Sequence, residues 1–332
     1  MEKLLTVAIP AYNVEKYLMK TIPTFLEKDI NEYIEILIVN DGSKDDTLKV
    51  AKHLEELYPS MVKAIDKENN GHGSAINKAI ELATGKYFKV VDGDDWVNTK
   101  NFAKLINYLK TNDSDVVLNS FNRVDISQDK VRKIEAPNVE YDKKYSISDI
   151  PLENFDKFYQ IHSITIKTNI LRKIPSITEN CFYVDQEYVV YPLLFVETIT
   201  FLNYDVYQYQ VGNQNQSVAL KNQQKNIAML EKVTLNLINY EENNQSSDFI
   251  SKVMSLRNAN MVGNVIRIYL SIGKVSRISC KNFVKEVKDK DISNQIQDFL
   301  KRKDAILIFK SNNKLYSILS LIERMGRKIL NR

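Results

Sequence analysis

The chain has 332 residues, of which 44% are hydrophobic and 27% charged; that excludes a disordered chain and, at ~100–200 residues per domain, points to two domains. Lys and Arg number 46 against 42 Asp and Glu, a formal charge of +4, which is too mild an excess for a nucleic-acid-binding surface. Two cysteines, Cys181 and Cys280, and three histidines exclude a disulfide framework and a spaced zinc cluster, and fit a reducing, cytoplasmic compartment.

Taken in chain order, residues 4–9 form a short apolar run that reads as a buried strand. It has no basic stretch before it, so it is not a signal peptide. The pattern over 14–28 predicts a helix, with Asn13 as its N-cap and Pro23 as a break. Residues 34–39 (IEILIV) read as a second strand, and a helix capped by Asp45 or Asp46 follows to about Tyr58. A third strand at 62–65, a helix over 73–83 and a fourth strand at 87–91 come next. A helix over 98–109 and a fifth strand at 115–120 complete the series. Strands and helices alternating at this spacing predict parallel strands with crossover helices.

The polar stretch 121–150 has little periodicity and reads as an irregular excursion. Strands are expected at 161–166 and 199–202, with a helix over 185–196 between them. From about Gln223 the pattern is almost wholly helical, including 227–240, 249–272, 280–288 and 315–329, and dense Asn and Gln around 213–245 mark a linker or boundary. The division expected is 1–220, an α/β domain with a mostly parallel central sheet, and 221–332, a helical region. No apolar run reaches the ~18–20 residues that a membrane helix needs.

Ligands of an open parallel sheet bind beyond the carboxyl ends of its strands. The loops there are Pro10-Ala11-Tyr12-Asn13, Asn40-Asp41-Gly42-Ser43-Lys44-Asp45, Glu68-Asn69-Asn70-Gly71-His72-Gly73-Ser74 and Asp92-Gly93-Asp94-Asp95-Trp96. Three carboxylates in four residues repel one another unless a cation is present, and their hard oxygens suit Mg²⁺ or Mn²⁺. A turn with Asp95 capping the next helix is the competing reading. Neither G-x-x-x-x-G-K-[ST] nor G-x-G-x-x-G is present, which argues against a P-loop ATPase and a nicotinamide dehydrogenase.

These four segments, in this order and at this spacing, resemble the family 2 glycosyltransferases, inverting enzymes of the GT-A fold, over roughly residues 4–210. There is a general likeness to bacterial capsule and cell-surface polysaccharide transferases. The resemblance implies that Pro10, Ala11, Tyr12, Asn13, Asp41, Asn70, Gly73, Asp92 and Gly93 bind the nucleotide-sugar, with Asp41 on the base. It implies that Asp92-Gly93-Asp94 is the family's D-x-D element. Asp94, with Asp92, would hold the divalent metal (Mn²⁺ or Mg²⁺) that bridges the diphosphate, and Asp95 would support it. In the segment Tyr183-Val184-Asp185-Gln186-Glu187-Tyr188, Asp185 takes the position of the catalytic base and Glu187 is the reserve. The segment 207–217 resembles the family's Tyr/Gly/Gln-Ser element near the acceptor. Ile76 stands where many members carry Arg, a loss that His72 or Lys78 would offset.

Several residues carry two readings. Trp96 could floor a sugar subsite or pack in the core, and His72 could touch substrate or only line the loop. His162 reads as a hydrogen-bonded core or pocket-wall histidine rather than a metal ligand, and His53 as a surface residue. In the last helix, Leu315, Ile318, Leu319, Ile322, Met325 and Ile329 share one face and basic residues dominate the rest. Residues 314–332 would therefore either meet a membrane surface or pack on the helical region.

The function expected is metal-dependent, inverting transfer of a sugar from a nucleoside diphosphate donor, UDP by family habit. The acceptor expected is a glycan or a lipid-linked one, in bacterial surface-polysaccharide synthesis, in the cytoplasm or at the inner face of the plasma membrane. The alternatives are an inactive transferase-like scaffold and a haloacid-dehalogenase-like phosphatase, the latter disfavoured by Trp96 two positions after Asp94. No nucleic acid partner is expected, and a homo-oligomer is open.

Overall fold

The computed structural model describes residues 3–212 and 219–330. The chain forms two compact units, Met1–Asn213 and Gln214–Arg332. The first unit opens with β1 (Leu5–Ala11), α1 (Glu15–Thr21), β2 (Ile34–Asp41), α2 (Thr47–Leu57), β3 (Val62–Lys67), α3 (His72–Leu82), β4 (Tyr87–Val90), β5 (Trp96–Val97) and α4 (Thr99–Leu109). It continues with β6 (Val116–Asp125), β7 (Lys130–Ile134), β8 (Lys144–Ser146), α5 (Leu152–Lys157), β9 (Ile164–Lys167), α6 (Thr168–Leu171), α7 (Asp185–Val190) and β10 (Thr198–Val211).

These strands make one sheet in the order β3-β2-β1-β4-β9-β6-β10-β5. β1, β2, β3 and β4 run parallel, as do β6 and β10, while β9 enters antiparallel between β4 and β6. The sheet is thus mostly parallel, and β1, β2 and β4 are apolar on both faces because both faces are covered. Thr6, Asn40, Asp41 and Lys89 are buried polar residues of these strands, and Lys89 donates to the carbonyls of His162 (3.0 Å) and Ile164 (3.1 Å). Those bonds compensate part of the cost of burying an ammonium.

The structure corrects several expected elements. Asn13 does not cap the first helix. It sits in the left-handed region (φ 54°) and its side chain accepts from Lys44 N (2.8 Å). The free amides at the start of α1 are met instead by the loop after β2, Val14 N donating to Thr47 Oγ1 (2.8 Å) and Glu15 N to Asp45 Oδ2 (3.3 Å). Pro23 ends the α-helical pattern in a short 3₁₀ turn, Ile22–Phe25. Asn98, not Asp95, caps α4, accepting from Asn101 N (3.1 Å).

Residues 121–150 are not an irregular excursion. β6 runs on through Asp125 and folds back as a hairpin with β7, and β8 pairs with β10. Nearly all of β7 is exposed, so no apolar alternation marks it. β9 begins at Ile164, which leaves His162 in the turn before it. β10 is far longer than 199–202, with a register shift between Leu202 and Tyr207.

The second unit contains α8 (Leu220–Lys225), α9 (Ile227–Glu242), α10 (Asp248–Ile272), α11 (Arg277–Lys288), α12 (Ser293–Phe299), α13 (Lys303–Lys310) and α14 (Tyr316–Leu330). The Asn- and Gln-rich stretch is therefore helical over 220–225 and 227–242, with a turn at Asn226, and residues 213–218 lie outside the described residues. α14 does not bury its apolar face. Tyr316 and Ser320 face inward, donating to the carbonyls of Tyr269 (2.6 Å) and Leu270 (2.8 Å), while Ile318, Leu321, Ile322 and Met325 are 55–61% exposed. Among the described residues no helix is long and apolar enough to cross a membrane.

Candidate active site

The four loops expected to meet do so at the carboxyl ends of β1, β2, β3 and β4. Pro10 and Ala11 end β1, and Tyr12 follows, 45% exposed. Asp41 ends β2 and is buried. It accepts from Lys67 Nζ (2.7 Å), Asn70 N (3.0 Å), Gly71 N (2.8 Å) and Ser74 Oγ (3.2 Å). Asp41 thereby fixes the loop 68–71 and the entry to α3. Sequence reasoning missed Lys67, yet β2 and β3 pair Asp41 with Lys67 in register. Gly71 stands at φ 85°, a conformation glycine adopts without strain.

His72 opens α3, and its Nε2 lies 2.9 Å from Asp92 Oδ1. Burial works against its protonation, but the bond and charge of Asp92, then the charges of Asp185 and Asp41, raise its pKa above the usual value. The same contact holds Asp92 below the usual carboxylate range despite burial. Burial first, then the Asp92 charge, pushes Asp94 up to about 6. Gly93 brings this loop against β1, since a Cβ there would lie 3.2 Å from Pro10 O.

Asp95 is buried, and burial with the charges of Asp92 and Asp94 raises its pKa strongly. Tyr207 OH donates to Asp95 Oδ2 (2.6 Å), accepts from Asp92 N (3.1 Å), and Gln210 N donates to Asp95 Oδ1 (2.7 Å). β10 thus fastens the acidic loop from above. Tyr207→Phe is expected to cost about 1–3 kcal/mol of stability by leaving a buried carboxylate and amide underbonded, read by denaturant unfolding. Trp96 pairs with Gln208 in the short β5 strand and is partly buried.

Asp92, Asp95 and His162 bring one ligand atom each within 4.8 Å of the others; Asp94 is not in that group. Burial holds the His162 imidazole neutral, its pKa lowered to about 4, and its Nδ1 is buried without a hydrogen-bond partner among the described residues. The ring stacks on Tyr209, with centroids 4.1 Å apart. A neutral, unpartnered imidazole beside two carboxylates fits a divalent cation with oxygen and nitrogen ligands.

α7 begins at Asp185, which is half-buried, and Gln186 Nε2 donates to its Oδ2 (2.8 Å). Glu187 is fully buried, and its carboxylate accepts from Thr178 N (2.7 Å) and Thr178 Oγ1 (2.8 Å). The approach to Asp185 is tied to α3: Asn180 N donates to Asn70 O (2.6 Å), and Asn77 exchanges two 2.9 Å bonds with the Ile177 backbone. Tyr183, two residues before Asp185, is at φ 67°, a strained conformation for a bulky side chain. Lys78 pairs with Glu81 on its own helix (2.9 Å) rather than with any loop of the site. Of the segment 207–217, residues 213–217 lie outside the described residues.

The model of the family "Glycosyl transferase family 2" matches residues 6–176. The uncharacterized glycosyltransferase EpsJ of Bacillus subtilis is 33% identical over 117 residues, 35% of this chain and 33% of that protein. The minor teichoic acid biosynthesis protein GgaB of the same organism is 31% identical over 112 residues, 33% of this chain and 12% of that protein. The aligned stretches thus span a third or less of these relatives. The crystal structure of S. aureus TarS 1-349 in complex with UDP-GlcNAc superposes with a TM-score of 0.71 at 16% identity, covering 97% of this chain and 92% of that one, which is a likeness of fold. With the family model matched over half the chain, on the strands and loops that carry the acidic site, this protein belongs to glycosyl transferase family 2.

Proposed function

We propose that the protein is a metal-dependent, inverting glycosyltransferase. It moves a sugar from a nucleoside diphosphate donor, a UDP-sugar, to a glycan or lipid-linked acceptor in the synthesis of a bacterial surface polysaccharide. The observation that carries this reading is the cluster at the carboxyl end of β4, where His72 Nε2 lies 2.9 Å from Asp92 Oδ1 and ligand atoms of Asp92, Asp95 and His162 lie within 4.8 Å of one another. The loop 68–71 links this cluster to the end of β2 through Asp41 and to the segment leading into α7 through Asn180 N on Asn70 O (2.6 Å). The family match and a UDP-GlcNAc-bound structure of the same fold support it. Family membership displaces the phosphatase alternative, and the inactive scaffold is an outcome of the test below.

In this reading Pro10, Ala11, Tyr12 and Asn13 border the nucleoside, the exposed Tyr12 ring offers a stacking face, and Asp41 and Asn70 set the loop beside the base. Gly73 and Gly93 shape the donor site through packing, Gly73 by admitting the segment 177–178 against α3 and Gly93 by letting the acidic loop lie against Pro10. His72 places positive charge toward the diphosphate, in place of the arginine that Ile76 lacks. Asp92, Asp95 and His162 hold the divalent ion, with Asp94 beside them, and the ion when bound offsets charge on the departing diphosphate. Asp185, oriented by Gln186, takes the proton of the acceptor hydroxyl as it attacks the anomeric carbon. Attack opposite the leaving group inverts that carbon, so an α-linked donor gives a β-linked product. Glu187 acts in positioning through Thr178, and Trp96 and Lys78 carry no catalytic role. The exposed apolar side chains of α14 supply a contact for a membrane surface holding a lipid-linked acceptor.

The test is release of nucleoside diphosphate from a panel of UDP-, GDP- and dTDP-sugars with Mn²⁺, Mg²⁺ or EDTA. Release from one UDP-sugar is expected, lost with EDTA and reduced at least 10²-fold in Asp92→Asn, a size typical of lost electrostatic stabilisation. Turnover undiminished by EDTA would overturn the metal requirement. The absence of both turnover and nucleotide-dependent thermal stabilisation would favour the scaffold.

A further inference from the structure

The edge of the sheet opposite the acidic loops carries a cavity of about 710 Å³. β1 and β4 begin there and β9 ends there. Its lining includes Lys3, Lys86, Lys110, Lys167 and Arg172, with Asp113 as a carboxylate among them. They come from separate stretches of chain that the topology gathers at one place.

The five cations are not equally compensated. Lys86 and Lys167 each lie 3.2 Å from Asp113, and Lys167 is also 3.1 Å from Asp115. Two carboxylates thus answer two ammonium groups. The other three have neutral partners. Lys3 Nζ donates to Ser60 O (3.2 Å), and Arg172 Nη2 to Ala83 O (2.7 Å). Lys110 Nζ stands 3.8 Å from the centre of the Tyr33 ring. Among the described residues none of these three forms an ion pair. Glu35 adds a third carboxylate at this edge, accepting from Thr84 N (2.6 Å) and Gly85 N (3.3 Å) of the lining; the five cations still outnumber the carboxylates, and a basic concave surface concentrates anions. One carbonyl or one ring uses only part of the three donors of a lysine or the five of an arginine. The remaining donors and the planar guanidinium suit a multiply charged oxyanion.

We propose that this cavity binds a phosphate-bearing group, a phosphate monoester or diphosphate. It lies at the far edge of the sheet from the donor cleft: the seven residues of β1 separate the two edges by roughly 20 Å at ~3.3 Å per residue. The site is distinct from the place of the donor diphosphate, and occupancy of one does not require the other. The proposal does not rest on the catalytic reading of the acidic loops.

The test is calorimetric titration with inorganic pyrophosphate, with EDTA present and with excess UDP, at fixed ionic strength. A parallel arm is flotation with vesicles of phosphatidylglycerol against phosphatidylcholine. Saturable pyrophosphate binding that UDP does not displace is expected. The double variant Lys110→Gln/Arg172→Gln should weaken it at least tenfold, and Lys3→Gln, on another stretch of chain, severalfold. Lys110 and Arg172 are exposed, so the melting temperature should hold, and donor hydrolysis should stay within twofold. If pyrophosphate does not bind but the anionic vesicles do, and the double variant with α14 unchanged loses them, the phosphate belongs to a lipid headgroup and the site stands. Binding that UDP displaces, binding equal in the variants, or no binding in either arm would overturn the site.

Discussion

Asp185→Asn is expected to lower sugar transfer about 10²–10⁴-fold, the usual contribution of a positioned general base. Donor binding and the metal requirement should stay as in the unaltered protein, because Asp185 begins α7 and is separate from the group formed by Asp92, Asp95 and His162. Single-turnover kinetics with saturating donor, alongside a donor titration, separates the two effects. Glu187→Gln is the matched comparison. Its carboxylate accepts two bonds from Thr178 inside the protein. That change should appear first as lost stability, about 1–3 kcal/mol for one buried partner left underbonded. If Asp185→Asn stays within tenfold while Glu187→Gln abolishes transfer in a folded protein, the roles are reversed.

Gly73→Ala is expected to damage both the fold and the site. A Cβ at Gly73 would lie 2.3 Å from Thr178 O and 2.9 Å from Ile177 Cγ2. The first of these is backbone and has no rotamer by which to withdraw. Forced overpacking costs about 1–3 kcal/mol and sometimes more; a domain of this size loses about 2–4 °C of melting temperature for each kcal/mol. The pressure falls on the segment 177–181, which leads into Asp185. Transfer should therefore fall by more than the loss of folded protein explains. Thermal unfolding and the rate per folded molecule check the two parts. An unchanged melting temperature with an unchanged rate would show that α3 and this segment are not held as described.

The sheet and its ligand-bearing edge were legible because β1, β2 and β4 carry apolar runs and the loops after β2, β3 and β4 are rich in Gly, Asn and Asp. Asp41, His72, Asp92 and Asp94 lie where those loops lie. The hairpin from Val116 to Ile134 was not legible, because exposed β7 has no inward face to pattern. Nor was the surrounding of Glu187: in the string it is one acidic residue two places from another. Its burial depends on Thr178, nine positions earlier, folding back over the start of α7. Although the resemblance singles out the segment 207–217, the contacts made by Lys67 and Tyr207 escaped for a related reason. One meets Asp41 only through the register of neighbouring strands, and the other reaches Asp95 across 112 positions of chain. Contacts of that range depend on topology, which a local period does not report.

The shift in β10 between Leu202 and Tyr207 determines where this fold tolerates a change of length. Before it, β10 pairs with β6 in one register; after it the register differs, and Tyr207 OH reaches Asp95. Strand side chains alternate with period two, so removing one residue from 203–206 would turn Tyr207 to the other face and release Asp95. The turn at 126–129 is tied to β10 by Ile126 N on Val211 O (3.1 Å), but its exposed tip packs no core side chain and accepts added residues more readily. Chains descended from this one should therefore vary in length at the hairpin tip and keep the count between Leu202 and Tyr207.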